Sequence, residues 1–147
     1  MRFRIPRIRA VRPVLSRSSL PGVRYAPRPD GRPDPGEVVW AWVPYEEDPS
    51  QGKDRPVLVI GEERGQLLAL ALTSRDHDAD AEQESRDGRE WMDIGTGAWD
   101  SRRRPSEVRL NRLLRLDPAG VRREGAALPK VIFDAVIEAA QPYLPGR

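Results

Sequence analysis

The sequence predicts a mainly-β domain: a small antiparallel barrel closed by one C-terminal helix. Three observations lead there. Between Pro35 and Ser74, three apolar runs of strand length are separated by polar turn signals. Shorter runs of the same kind follow between Arg89 and Leu116. Near the end, Pro129–Ala140 abandons the two-residue period for steps of three and four.

The elements follow in order. Residues 1–34 hold six prolines and nine arginines with little periodic apolar pattern, which predicts a disordered Arg/Pro-rich tail ahead of a barrel domain over 35–147. Glu37–Val43 alternates, with Trp40 and Trp42 on one face and Val39, Ala41 and Val43 on the other. Pro35-Gly36 and Pro44 punctuate its ends. Pro56–Ile60 is continuous and β-branched, as in a strand covered on both faces. Gln66–Leu72 is leucine-rich but short and follows a Gly65 turn, so it reads as a third strand. Between the first two strands lies Tyr45–Asp54, acidic at Glu46, Glu47 and Asp48 and ending in Gln51-Gly52-Lys53-Asp54. A connection this long in a small domain suggests function.

Ser74–Gly88 is polar throughout and reads as a loop, with a helical turn conceivable around Ala79–Glu84. Arg89–Ile94 is a short fourth strand, and Gly95–Ser101 is a turn anchored by Trp99, since it lacks the lysine and spacing of a phosphate-binding loop. Arg102-Arg103-Arg104-Pro105 makes a basic hairpin tip. Glu107–Leu110 places Val108 and Leu110 opposite Arg109 and Asn111, and Leu113–Leu116 is a sixth run. Pro118 suits the first position of a turn or short helix after Asp117. In Pro129–Ala140, Ile132, Ala135, Val136 and Ala139 share one face, a stripe meant for the sheet.

Composition narrows the function classes. There is no cysteine and a single histidine, His77, so neither a disulfide framework nor a multi-histidine metal site is available to one chain, and a reducing cytoplasm is expected. No apolar run reaches the ~20 residues of a membrane-spanning helix. The net charge of +2 conceals a split. The first 34 residues carry nine arginines against Asp30 and Asp34, which leaves 16 basic and 21 acidic residues beyond them. Such a body is not a general polyanion binder; cations for RNA must be focused at one site.

The pattern PGEVVW … QGKDRPVLVI … LALTS, with RPSEVRLNRLLRLD and the helix after it, resembles the MazF/PemK family of toxin–antitoxin endoribonucleases from about Pro35 to Ala140. The resemblance implies an SH3-like barrel that forms a homodimer, cleaves single-stranded RNA without metal or cofactor, and pairs with a cognate antitoxin whose acidic, partly disordered tail lies in the RNA groove. It also implies that the loop between the first two strands covers that groove.

Cleavage by the 2′-hydroxyl needs a proton acceptor, groups that hold the charge developing on the phosphate, and a proton for the departing 5′ oxygen. Arg55 matches the family's catalytic arginine, and its fork suits a phosphate; the plainer role is an ion pair with Asp54 or the acidic loop. Thr73 matches the family's threonine, with Ser74 beside it as a further donor, against the plainer reading of a hydroxyl-stabilised turn. Arg109 matches an arginine that works with an aspartate two residues on, but here that place is Asn111, whose amide cannot take up a proton. His77, three positions past Ser74, is the substitute base, or simply a solvated loop residue. Gln51, Lys53, Ser74 and Asn111 are the expected RNA contacts. A second reading keeps the barrel as an RNA- or protein-binding module with weak or no catalysis, and a third makes the arginine-rich tail a nucleic-acid tether.

Overall fold

Side-chain parity along the strands decides the architecture. The structure is a computed structural model that describes residues 2–3, 22–28, 32–74 and 88–145. Its strands are β1 (Arg2–Phe3), β2 (Glu37–Pro44), β3 (Gly52–Glu63), β4 (Gln66–Ser74), β5 (Trp91–Gly95), β6 (Ser106–Arg109), β7 (Leu114–Leu116) and β8 (Val121–Ala127), followed by helix α1 (Lys130–Ala140). Short 3-10 turns lie at Pro118–Gly120 and Gln141–Tyr143.

The strands pair in the order β1-β5-β6-β4-β3-β2-β8, and β7 also pairs with β4. All pairings are antiparallel except β1 with β5. β4 is divided along its length: Leu67–Ala69 pair with β7 and Leu72–Ser74 with β6. Register shifts at Val59/Gly61, Asp93/Gly95 and along β2 with β8 help bend the sheet, as bulges do, and it curls into a half-barrel.

The continuous run in β3 serves two cores, as its pattern predicts. Leu58 and Ile60 face α1 with Val38, Leu70, Leu72, Met92, Val108, Leu110, Phe133 and Val136. Val57 and Val59 face the other way with Val39, Ala41, Val43, Ala69, Ala71 and Leu114. The helical stripe is rotated from the expected one: Phe133, Ala135, Val136 and Ala140 are buried, while Ile132 and Ala139 pack at its margin. Pro129 is the N-cap of α1, and its carbonyl accepts from the backbone of Ile132 and Phe133.

Two expectations are corrected. The tail does not extend to residue 34: residues 22–28 and 32–34 lie on the barrel. Tyr25 packs tilted against Phe133 with ring centroids 5.1 Å apart, its hydroxyl donates to the Leu128 carbonyl at 2.7 Å, and Arg24 N donates to Ile60 O at 3.0 Å. Gly61 permits this approach, because a Cβ there would strike the Gly22 carbonyl. The connection after β2 is also shorter than expected, since β3 begins at Gly52 and Val43 already pairs with Lys53.

Candidate active site

At one end of the sheet the second apolar face turns polar. Directly paired residues project to the same side. Ala41 pairs with Arg55, Val57 with Ala71, Thr73 with Glu107 and Trp91 with Arg109. Two residues past the Val57/Ala71 pair, the same ladder brings Arg55 level with Thr73. Arg55, Thr73 and Arg109 are therefore delivered to one face by three neighbouring strands, on the floor of a groove of about 450 Å³.

The groove concentrates cations. Among the described residues, Lys53, Arg55, Arg89, Arg109 and Arg112 line it against two carboxylates, Glu46 and Glu47. Both carboxylates come from the acidic connection after β2, which is tied down over β5 and β6. Arg109, whose side chain is buried, donates from Nη1 to Glu46 Oε1 at 2.8 Å and from Nη2 to Oε2 at 3.2 Å. Arg89 Nη2 reaches Glu47 Oε1 at 3.1 Å, with its Nε 3.6 Å from Glu46 Oε1. Arg112 Nη2 donates to the Pro44 carbonyl at 2.9 Å. The hydrogen bond from Arg109, helped by the charges of Arg109, Arg112 and Arg89, outweighs desolvation and holds the Glu46 carboxyl below its ordinary pKa. Burial lowers the pKa of Arg112, reinforced by Arg109 and Arg89 and opposed by Glu46 and Glu47.

Lys53, Arg55, Thr73, Ser74 and Arg109, singled out from sequence, all line the groove. Gln51 and Asn111 do not. Gln51 is exposed at the end of the connection, its backbone bonded to Tyr45 and Asp48. Asn111 lies behind Arg109: its Oδ1 accepts from Arg109 Nε at 2.8 Å and from Glu90 N at 3.1 Å, and its amide donates to the Gly88 carbonyl. Its polar atoms are thus engaged in bracing the guanidinium. His77 falls outside the described residues. Asp54 pairs with Arg122 at 3.0 Å.

Sequence reasoning placed Glu46 in a functional loop but gave it no role, and it missed Arg89, Trp91 and Arg112 as lining residues. Trp91 lines the groove with its indole Nε1 buried and without an acceptor among the described residues. Its parity opposite Met92 and Ile94 in the short strand predicted over Arg89–Ile94 could have flagged it. The pairing of Glu46 with Arg109 spans 63 positions and carries no local signal.

Among the described residues no helix is long and apolar enough to cross a membrane, and no cluster of three or more His, Cys, Asp or Glu could hold a metal ion. No curated protein matches the chain. A crystal structure of MazE-MazF (Form-II) from Deinococcus radiodurans is similar over 76% of this chain and 94% of that one, at 21% identity and a TM-score of 0.49. The model of the PemK-like, MazF-like toxins of type II toxin–antitoxin systems matches residues 34–144. A match over that span, which holds all the strands from β2 onward and the groove, shows that the chain belongs to this toxin family.

Proposed function

We propose that the chain is an endoribonuclease that cleaves single-stranded RNA without metal, acting in the cytoplasm as the toxin of a toxin–antitoxin pair and as a homodimer. The observation that carries this reading is the register that sets Arg55, Thr73 and Arg109 on one sheet face beside an open, cation-lined groove. The 2′-hydroxyl of the RNA is the nucleophile, so the protein need only grip the phosphate and manage protons. Arg55 and Arg109 hold the phosphate oxygens through charge-assisted bonds, and the hydroxyl of Thr73 donates to the same group. The products are a 2′,3′-cyclic phosphate and a 5′-hydroxyl. The cognate antitoxin silences the toxin by laying an acidic segment on these cations.

The test is induced expression with RNA end mapping. Arg55→Ala and Thr73→Ala should each lose growth arrest, and in purified form Arg55→Ala should cleave about 10²–10³-fold more slowly, the loss typical of a missing charge-stabilising donor. Undiminished arrest in both variants would reject the assignment. A second reading, a binding module with little catalysis, has one specific observation behind it: Glu46 already occupies the outer edge of Arg109, where a phosphate would bind. Wild-type protein that binds long single-stranded RNA but never cuts it would establish that reading instead.

A further inference from the structure

Arg109 is held by two partners of different chemistry. Nε is bound by the amide oxygen of Asn111, a residue that cannot act as a base, and the fork is bound by both oxygens of Glu46. The carboxylate missing from the strand position is thus supplied from 63 residues away. Glu46 lines the groove and keeps 45% of its side chain exposed, so it is both anchored and reachable. Among the described lining residues, the only carboxylates are Glu46 and Glu47, and Glu47 is turned outward, with 68% of its side chain exposed.

We propose that Glu46 is the general base of the reaction, taking the 2′-hydroxyl proton in place of a carboxylate at position 111. The inference rests on the endoribonuclease reading above. The step balances within RNA, protein and water. The 2′ oxygen gives its proton to Glu46 and bonds to phosphorus. The bond from phosphorus to the 5′ oxygen breaks, and that oxygen takes a proton from water. Glu46 then returns its proton to solvent.

The ion pair explains how one group can be both ionised at rest and basic when needed. With Arg109 bound, Glu46 stays deprotonated across the physiological range. As the incoming phosphate draws the Arg109 fork toward itself, Glu46 loses the bonds that depress its proton affinity, and its basicity rises as the substrate settles. Arg89, Arg112 and Glu47 remain around it, so the change comes chiefly from Arg109.

The experiment compares wild type, Glu46→Gln and Glu46→Asp in single-turnover cleavage of a long single-stranded RNA. Binding is measured separately with an RNA carrying 2′-deoxy at the cleaved position, and folding by thermal melting. Glu46→Gln should lower the cleavage rate about 10²–10⁴-fold, as loss of a general base does, while binding the 2′-deoxy RNA at least as tightly as wild type. Glu46→Asp, which keeps the carboxylate, should retain more activity than Glu46→Gln. A loss under tenfold in Glu46→Gln, a loss matched by weaker binding, or equal losses in both variants would overturn the assignment; faster cleavage with tighter binding would show that Glu46 only blocks the groove. Wild-type protein that releases no 2′,3′-cyclic phosphate would remove the nuclease reading itself, a separate outcome.

Discussion

At the residue scale, Asp100 shows how a buried, hydrogen-bonded carboxylate sets a pH limit. Asp100 is buried in the turn before β6, accepting from Arg102 N at 2.8 Å and Arg104 Nε at 2.9 Å. Burial alone would raise its pKa, but those bonds and the Arg104 charge outweigh it, and the net shift is downward from 3.8. A carboxyl depressed in the folded state contributes stability that is present above its unfolded pKa and lost as the pH falls through the lower folded value. Asp100→Asn should therefore melt below wild type at neutral pH, and the gap should close as the pH is taken below 3.8. Melting curves over that range check it; a gap that ignores pH would mean that the turn is held by something else. The same turn carries Trp99, whose Nε1 donates to Ser106 Oγ at 3.1 Å and whose carbonyl accepts from Trp40 Nε1. This is the anchor that the lone tryptophan in a glycine-rich stretch foreshadows.

At the scale of elements, what is legible follows from whether a signal is local. The two-sided run of β3 is written in consecutive residues, so its division between Leu58/Ile60 and Val57/Val59 can be read from parity alone. Asp117-Pro118 likewise declares its 3-10 turn, with Asp117 Oδ1 accepting from Ala119 N. β8 could not be read. Its sequence, VRREGAA, has neither alternation nor a β-branched run, and its strand state comes from pairing with β2 across the molecule. The period of Pro129–Ala140 gives α1 but not the centring of its buried face on Phe133, because the position of Tyr25 against that ring is a long-range fact. Phe133→Ala should cost about 3–5 kcal/mol, the range for emptying a large aromatic site in a packed core. Chemical denaturation reads this directly, and a cost under about 1 kcal/mol would place Phe133 outside the cooperative core.

For the whole molecule, charge and connectivity pull in different directions. Beyond residue 34 the chain has five more acidic than basic residues, yet among the described residues the groove gathers five cations against two carboxylates. RNA affinity must then come from a few local phosphate contacts rather than from the general field. If about three phosphates are neutralised, log K should fall with log salt at a slope of roughly −2 for a single strand. Removing residues 1–21 takes away six arginines but leaves Lys53, Arg55, Arg89, Arg109 and Arg112 in the groove, so the slope should not change. Removing residues 1–34 differs in kind, because it also deletes Tyr25, its bond to Leu128 and its contact with Phe133. That truncation should lose at least about 1–2 kcal/mol of stability from one hydrogen bond and one ring pair, whereas the shorter one keeps both. Salt titrations of RNA binding and denaturant curves on the two truncations separate the effects. A slope that flattens by one or more on loss of residues 1–21 would make the tail an RNA-binding arm after all.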